Sequence, residues 1–474
     1  MWELGRVPIP SALEEYMYRV SRSLLAISLL IVAPKVGATQ DRHHDEHQVE
    51  PSETAALLPA ERLLGSISQE ELRVLAAEVL EDNPALAAAQ AEARAAALRA
   101  PQVKALPDPT LGVVVFAETP ETRVGPQEWT LMLSQSFPWG GKLSLKQEAA
   151  LLRAASLEAV VEAKRLELIT EVRRLAYELA FLDRREEITR DLRGHLLQHE
   201  EIARVRYSTG VGLGQGVVKL QAEITRVEEQ LLDIETRRSA LEAQINSLRD
   251  RPASSPLPRL DLPPVAAVRV EPEELTERAL AFRPELASAE AEIARATALA
   301  ELAGKDRRPD FKVGLSYTGV GRREDPAGIA MPPEDNGKDI FAVQGGITLP
   351  ISRKKLRAGE EEAEELVLAA QQSRRATATA ITGSLGDLME RLPLTWRQLR
   401  LLEDLLILQA EEAVESAEAG YVAGTLNALD LLDAEHVLFE SRIAVARAHA
   451  DYSIALARLE GAVGEPLAAN DIEE

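Results

Sequence analysis

Two segments of the chain, residues 84–138 and 284–350, look like copies of one module in which two short strands precede a very long helix. Both copies keep two prolines 25 residues apart: Pro84 with Pro109, and Pro284 with Pro309. Solenoid proteins repeat a small unit at a short period, and a module that adds a very long helix to short strands does not fit them. The chain is therefore predicted to be one elongated body built by duplication.

Each module contains two stretches in which apolar and polar residues alternate. They lie at about 110–118 and 128–137 in the first module, and at about 310–318 and 339–349 in the second. A period of two predicts strands with one apolar and one polar face. Strands of roughly 8–11 residues with this division suit a tilted crossing of a bilayer, with lipid on one side and a lumen on the other. Two hairpins of a soluble sheet would give the same pattern, so both interpretations stay open.

Four strands cannot close a barrel by themselves. In a bilayer an open sheet edge is excluded, because unpaired N–H and C=O groups find no water there. If these strands lie in a membrane, several copies of the chain must therefore share one barrel.

Most of the remaining sequence predicts long helices. Residues Lys142–Arg206 contain no proline and one glycine, Gly194, and a straight helix of that length would measure on the order of 95 Å. Its apolar positions are mostly Ala and Leu, which favours close coiled-coil packing. A plain coiled-coil scaffold would explain the helices but not the four strands. The other predicted helices are Val217–Arg249, Glu273–Gly304, Lys354–Gly420 (broken at Gly383, Gly386 and Pro393) and Leu426–Val463.

Two related turns separate the long helices. Tyr207 is followed by Gly210, and Tyr421 is followed by Gly424 at the same spacing. Glycine readily adopts the left-handed conformation that ends a helix before the chain reverses. We therefore expect two helical hairpins, with the tyrosines as packing residues at their tips. The further glycines after Gly210 do not form a phosphate loop, because they follow a helix and lack a following Lys-Ser/Thr.

The composition excludes several classes of function. The net charge of −23 over 474 residues disfavours nucleic acid as a partner. The chain has no cysteine and no stretch long and apolar enough for a mature transmembrane helix. Catalytic triads, phosphate loops and cysteine clusters are missing from the sequence, so we expect neither an enzyme nor a bound cofactor.

The ends and the middle of the chain predict segments outside the two repeats. Residues 1–38 have the charged, apolar and small-residue regions of a signal peptide, and Met17 is a candidate true start. An N-terminal tail covers 39–69, a proline-rich link covers 251–270, and a C-terminal tail covers 466–474. The first structural repeat is then 70–250 and the second is 271–465.

Two groups of histidines are candidate metal ligands. His43, His44 and His47 stand among carboxylates that suit a transition metal, although a mobile tail without supporting contacts is the favoured interpretation. His195 and His199 lie four residues apart on a predicted helix and could bind a metal jointly. Because the carboxylate pattern of a zinc protease does not accompany them, a solvated or interhelical role is favoured.

Several motifs together resemble the TolC-type outer-membrane efflux factors over roughly residues 70–465. They are Asn83-Pro84-x-Leu86, Leu106-Pro107-Asp108-Pro109, Ser134–Trp139 and the stretch from Gly420-Tyr421 to Asp433-Ala434. The resemblance implies a mixed fold, in which each chain adds four strands to a trimeric barrel in the outer membrane of a Gram-negative bacterium and its long helices form a periplasmic tunnel. It also implies contact with outer-membrane lipid, a periplasmic adaptor protein and an inner-membrane pump. The heavy-metal branch of these ducts is the nearest in general appearance.

The resemblance also implies a pore constriction at Asp430 and Asp433. In the family, acids in this Asp-x-x-Asp pattern form rings at the tip, and six carboxylates from three chains would repel one another and bind cations. The alternative is that the two acids lie on a solvated helix face or cap the start of a helix. Leu426 stands where the family member best known for tip gating has an arginine, so a contact that needs that charge is not expected here.

The sequence leaves more than one function open. The leading hypothesis is a passive exit duct for small molecules or metal ions. A duct of a type I protein-secretion system and a periplasmic coiled-coil scaffold without a pore are the alternatives.

Overall fold

The computed structural model describes residues 58–210, 213–269 and 271–467. These residues belong to one compact unit, Ala56–Glu474. The predicted signal peptide, the candidate start at Met17 and the metal candidates His43, His44 and His47 lie outside the described residues, as does most of the predicted C-terminal tail.

The first repeat passes from short helices through its strands into a hairpin of two long helices. The short helices are α1 (Pro59–Gly65), α2 (Glu70–Asp82), α3 (Pro84–Ala97) and α4 (Arg99–Lys104). The strands are β1 (Thr110–Val115), β2 (Glu121–Thr122) and β3 (Gly125–Phe137), and the hairpin consists of α5 (Lys142–Ser208) and α6 (Gly214–Leu248).

The second repeat follows the same order with a more interrupted helical hairpin. It contains α7 (Pro272–Phe282), α8 (Pro284–Lys305), β4 (Phe311–Val320), α9 (Pro326–Ala330) and β5 (Ile340–Ile347). The chain then forms α10 (Arg353–Leu401), a π-helical segment (Leu402–Leu406), α11 (Ile407–Val422) and α12 (Ala428–Val463).

The four long strands form one antiparallel sheet in the order β1-β3-β4-β5, and β2 pairs with β3. The two repeats meet inside this sheet, where β3 pairs with β4. The register aligns apolar residues across all four strands, as in the row Val113, Leu131, Tyr317 and Phe341. The opposite face aligns small and polar residues, as in the row Thr110, Ser134, Gly314 and Gln344. The alternation in the sequence therefore corresponds to two chemically different faces of one sheet.

The strand ends differ from the predicted ones. β1 ends at Val115 rather than at 118. β3 begins at Gly125 rather than at 128, since its first residues pair with β2. In the second repeat β4 extends to Val320, and β5 ends at Ile347, before the proline at 350.

The long helices pack along seams in which buried residues recur every seven positions. On α5 the seam includes Leu168, Leu175, Leu182, Thr189 and Leu196, all at most 5% exposed. On α6 it includes Leu220, Val227 and Ile234, all at most 1% exposed. Buried positions that recur every seven residues predict left-handed supercoiling of the packed helices. Among the described residues, no helix combines the length and apolarity needed to cross a bilayer.

The break predicted at Gly383, Gly386 and Pro393 is wrong, because α10 continues through all three positions. Leu385, Leu392 and Leu399 recur every seven residues on this helix and are at most 1% exposed. The burial of Leu385 and Leu392 against α7 and α12 outweighs the lost hydrogen bond and the steric clash that proline introduces inside a helix. The regular α-helix gives way only after these contacts, at the π-helical segment.

The segment predicted as one helix at Glu273–Gly304 is two helices. The chain is extended at Arg283, with φ −70° and ψ 120°, because a proline follows and disfavours the helical conformation there. Asn83 has the same conformation before the proline of the first repeat. Each of these side chains donates to a carbonyl oxygen near the end of the last helix in its own repeat, at 2.9 Å: Asn83 to Leu248 and Arg283 to Gly461.

Two segments predicted as tail and link take part in the core. The predicted N-terminal tail to residue 69 is wrong in its last part, where α1 places the fully buried Leu63 against α5 and α2. The described part of the proline-rich link, residues 251–269, has no regular secondary structure, yet Leu257 and Leu260 are buried. The Tyr452 hydroxyl of α12 donates to the carbonyl oxygen of Ala266 at 2.6 Å. Apolar residues between the prolines thus hold the link against the long helices.

Candidate functional site

The helical hairpin tips end in turns that require glycine. After α5, Gly210 has φ 76°, and after α11, Gly424 has φ 78°. Glycine adopts this left-handed conformation without the steric penalty that a Cβ atom brings. Val211 and Gly212 of the first tip lie outside the described residues. The two turns that the sequence predicted are therefore the two ends of the helical hairpins.

The second tip is closed by a network of local hydrogen bonds. The backbone N–H groups of Thr425 and Leu426 donate to the carbonyl oxygen of Gly420 at 2.9 and 3.1 Å. The Asn427 side chain accepts from the Asp430 backbone at 3.3 Å, and the Asp430 carboxylate accepts from the Asn427 backbone at 3.0 Å. This reciprocal capping box satisfies N–H groups that would otherwise be unpaired at the start of α12.

Asp430 and Asp433 both lie exposed on the first turns of α12. One oxygen of Asp430 accepts a hydrogen bond in the capping box. This is the helix-capping role that was the alternative to a pore constriction. Asp433 lies three residues further along α12, which places it near Asp430 on the helix surface. The pair therefore presents negative charge at the tip while Asp430 also orders the helix start.

Arg206 joins the first hairpin to the second. Its guanidinium group donates to the carbonyl oxygen of Tyr421 at 3.0 Å and lies over the Tyr421 ring, 4.3 Å from the ring centre. A guanidinium group can stack on an aromatic ring and hydrogen-bond at the same time. Tyr421 lies in the last turn of α11 and Arg206 in the last turn of α5, so this contact links the ends of two helices through residues 215 positions apart in sequence.

The two tip tyrosines have different surroundings. Tyr421 is 5% exposed and packs in a small cluster with Ala417 and Leu431. Tyr207 is 57% exposed, and its ring lies so close to Gly214 that a Cβ atom there would approach it to 3.0 Å. Tyr421 is thus a buried contact between elements, whereas Tyr207 covers the start of α6 and leaves much of its ring at the surface.

A histidine pair on α5 meets a buried glutamate of α12. The Glu435 carboxylate is 2.7 Å from His199 Nε2 and 3.5 Å from His195 Nδ1. The hydrogen bond to Glu435 raises the pKa of the His199 imidazole above its ordinary value, burial opposes this rise, and the negative charges of Glu435 and Glu418 add to it. In the part of the chain that the structure describes, no three His, Asp or Glu side chains are placed to hold a metal ion. His199 therefore contacts a residue of another helix, which is the interhelical role that the sequence favoured.

Arg206 and Glu435 were not singled out in the sequence. Arg206 is an ordinary basic residue in the last turn of a helix, where positive charge is common. Glu435 is one of many acids on a helix with a mixed surface. Their partners lie more than 200 residues away in sequence, so neither local spacing nor composition carries a signal for these contacts.

The comparisons with known proteins place the whole architecture in one family. The family model described as "Outer membrane efflux protein" matches residues 75–249 and 275–465, which is more than half of the chain. The cobalt-zinc-cadmium resistance protein CzcC of Cupriavidus metallidurans is 24% identical over 349 residues, covering 72% of this chain and 77% of the relative.

Solved structures share the fold at low sequence identity. The outer-membrane channel OprN is 18% identical, with a TM-score of 0.68 over 90% of this chain and 98% of that protein. The outer membrane protein VceC of Vibrio cholerae is 21% identical, with a TM-score of 0.66 over 83% of this chain and 96% of its own.

Members of this family form trimers and work with an adaptor protein and an inner-membrane pump, and they are transport proteins rather than enzymes. The matched residues here run from α2 to the end of α12 and include both strand pairs and both hairpin tips. The chain therefore belongs to the outer membrane efflux protein family, whose members are channels of the Gram-negative outer membrane that continue into a helical tunnel in the periplasm.

Proposed function

We propose that three copies of this chain form the exit duct of a tripartite efflux system that expels metal cations. The observation that carries the proposal is the open, amphipathic sheet. Among the described strands, β1 and β5 each have one long neighbour and lie at opposite edges. The apolar face is uncovered within one chain, with Leu111 63% and Val115 75% exposed. In a bilayer such edges must pair with further copies, which favours one shared barrel.

The cargo that we favour is a divalent metal cation. The relative CzcC is named for resistance to cobalt, zinc and cadmium. A net charge of −23 attracts cations to the molecule. The chain has five methionines and no cysteine, which disfavours a path for copper(I) built on soft sulfur ligands.

We place the constriction of the duct at Asp430 and Asp433. Three copies would bring six carboxylates together at the periplasmic end, where a multivalent cation would bind. The adaptor protein and the pump would meet the duct at this end as well. Exposed apolar side chains at the tips, namely Leu213, Val218 and Val422, offer contact surface for the adaptor.

Growth of a strain that lacks this protein tests the cargo. We expect increased sensitivity to zinc, cobalt and cadmium, restored by the wild-type gene, and unchanged sensitivity to hydrophobic dyes. Sensitivity to the dyes alone would replace metal with organic cargo. A detergent-solubilised trimer that gives a cation-selective conductance in a planar bilayer tests the duct itself, and a water-soluble monomer would favour the scaffold alternative.

Two neighbouring substitutions in β3 provide a matched control for the membrane assignment. Leu131→Lys places a charge at the centre of the apolar face, where a lipid-facing lysine costs about 2–4 kcal/mol. Thr130→Lys places the same charge on the polar face. We expect the first variant to lose trimers from purified outer membranes and the second to retain them.

A further inference from the structure

We propose that His199 and Glu435 form a proton-binding site that ties the two helical hairpins together near the tips, and that loss of the proton loosens the tips. The first part concerns this chain alone. The effect on the pore rests on the proposed function as a duct.

The site joins two separate elements of the fold. His199 is on α5 of the first repeat and Glu435 is on α12 of the second, and their side chains meet at 2.7 Å. His195, one helical turn before His199, reaches the same carboxylate oxygen at 3.5 Å. The imidazole rings therefore converge on one oxygen atom, and a proton held there bridges the hairpins.

Burial makes this contact sensitive to charge. The side chain of Glu435 is 3% exposed and that of His199 is 16% exposed. The second carboxylate oxygen of Glu435 and the Nδ1 atom of His199 have no hydrogen-bond partner among the described residues. A buried carboxylate that depends on a single short contact is poorly compensated when its partner becomes neutral. The pair is thus better suited to respond to a proton than to stabilise the fold at all pH values.

The charged groups around His199 favour its protonated form. The negative groups are Glu435, which faces it from α12, and Glu418, which faces it from α11. His195 lies beside it on α5 and adds no negative charge. From α6, the Gln221 side chain donates a hydrogen bond to Glu200, the residue that follows His199 in sequence. Because the hydrogen bond to Glu435 raises the pKa of His199, the stabilisation from this pair is fully present below the unfolded-state pKa of about 6.5. It is lost as the pH rises through the higher folded-state pKa.

The position of the pair connects it to the tip. Arg206 follows His199 by seven residues, which places both on the same face of the supercoiled helix α5. Arg206 holds the second hairpin through Tyr421, and His199 holds it two turns higher through Glu435. When the upper contact weakens, the polar contact at Tyr421 and the apolar packing between α5, α6 and α12 remain to hold the tips. We therefore expect the resting pore to conduct more at alkaline than at acidic pH.

The proton site is tested first without reference to transport. In the full-length trimer in detergent, labelled with ¹⁵N-histidine, we expect the His199 resonance to titrate above about 6.5. In Glu435→Gln we expect the midpoint to fall. A His199 midpoint that is below this value, or that does not move in Glu435→Gln, would overturn the proton site whether or not the protein forms a pore.

The coupling to the pore is tested by conductance in planar bilayers between about pH 5 and 8. We expect the wild-type conductance to rise with pH, and His199→Gln to abolish that rise. His436→Gln is the matched control, because His436 lies next to Glu435 but pairs with Glu440 on the exposed surface of α12. Retention of the pH dependence in His199→Gln would disprove the coupling.

The same recordings separate protons from metal ions. We expect the pH dependence to persist in a metal chelator. If the chelator removes it, the two histidines and Glu435 bind a trace metal instead, and the proton site is wrong. A trimer that conducts at no pH would contradict the proposed duct and leave the histidine titration as the independent test of the site.

Discussion

The two hairpin tips share their turn and differ in how the returning helix begins. Both carry a tyrosine three residues before a glycine whose φ lies close to 77°. In the second tip, Asn427 and Asp430 cap α12 reciprocally. In the first tip, α6 begins after Leu213, whose side chain provides no cap. The two repeats thus share the glycine turn, whereas the capping of the helix that follows it differs.

This difference assigns different roles to the two tips. The second tip is ordered by its own hydrogen bonds, so it can carry exposed carboxylates without further support. The first tip begins its return helix without a cap and is held to its neighbour through Arg206. The first tip has Gln221-Ala222-Glu223 where the second has Asp433-Ala434-Glu435. Gln221 is neutral and donates to Glu200 within the same hairpin. Acidic charge at the predicted constriction therefore belongs to the second tip.

The largest expected effect concerns that charge. In Asp430→Asn with Asp433→Asn, we expect the concentration of a divalent cation that half-blocks the conductance to rise on the order of tenfold, because each close charge pair contributes about 1 kcal/mol in water. Asparagine can still accept the capping hydrogen bond, so the helix start is retained. Asp404→Asn, on the exposed π-helical segment, serves as the control. Unchanged block would move the constriction to the first tip, near Gln215 and Val218.

An effect of similar size is expected from the contact between the tips. Arg206→Ala removes a charged hydrogen bond and the stacking on Tyr421, and such hydrogen bonds contribute about 1.5–3 kcal/mol. We expect resting conductance to rise on the order of tenfold if this contact holds the tips closed. Arg206→Lys keeps the charge and loses the planar stacking, so its conductance should be intermediate. Equal conductance in all three proteins would mean that the tips are held elsewhere.

The smallest effect tests the caps themselves. Asn427→Ala should destabilise the first turn of α12 by about 1 kcal/mol, and Leu213→Asn should stabilise the first turn of α6 by a comparable amount. Leu213 is 79% exposed, so little packing is lost in the second variant. Hydrogen exchange of the backbone amides in these turns measures both changes. If Leu213→Asn leaves exchange at the start of α6 unchanged, the missing cap does not explain the difference between the tips.

Local patterns in the sequence carried much of the architecture. The alternation in the four strands predicted two faces because successive side chains of a strand point to opposite sides. Gly210 and Gly424 predicted the hairpin ends because their backbone conformation is strained for other residues. The Ala- and Leu-rich seams predicted packed long helices. The motifs around Pro84 and Pro109, at Ser134–Trp139 and at the second tip carried the resemblance to the efflux family.

Other features were decided by contacts that the sequence does not encode locally. The helix α10 passes through Pro393 because three buried leucines hold it against its neighbours. The segment before residue 69 joins the core because Leu63 packs against α5. Both departures have the same cause, since burial of apolar surface in tertiary contacts outweighs local propensity.

In the candidate functional site, too, some features follow from local sequence and others from tertiary contacts. The sequence by itself determined the glycine turns and the cap at Asp430, because each depends on residues a few positions away. The constriction at Asp430 and Asp433 comes from the family resemblance and stays a prediction. Only the tertiary structure decided that Arg206 meets Tyr421 and that His199 meets Glu435, since helices of different repeats must pack before these side chains approach. The reason is physical: backbone conformation and helix capping act over one or two turns, whereas the partner of a buried charge depends on which helices the core brings together.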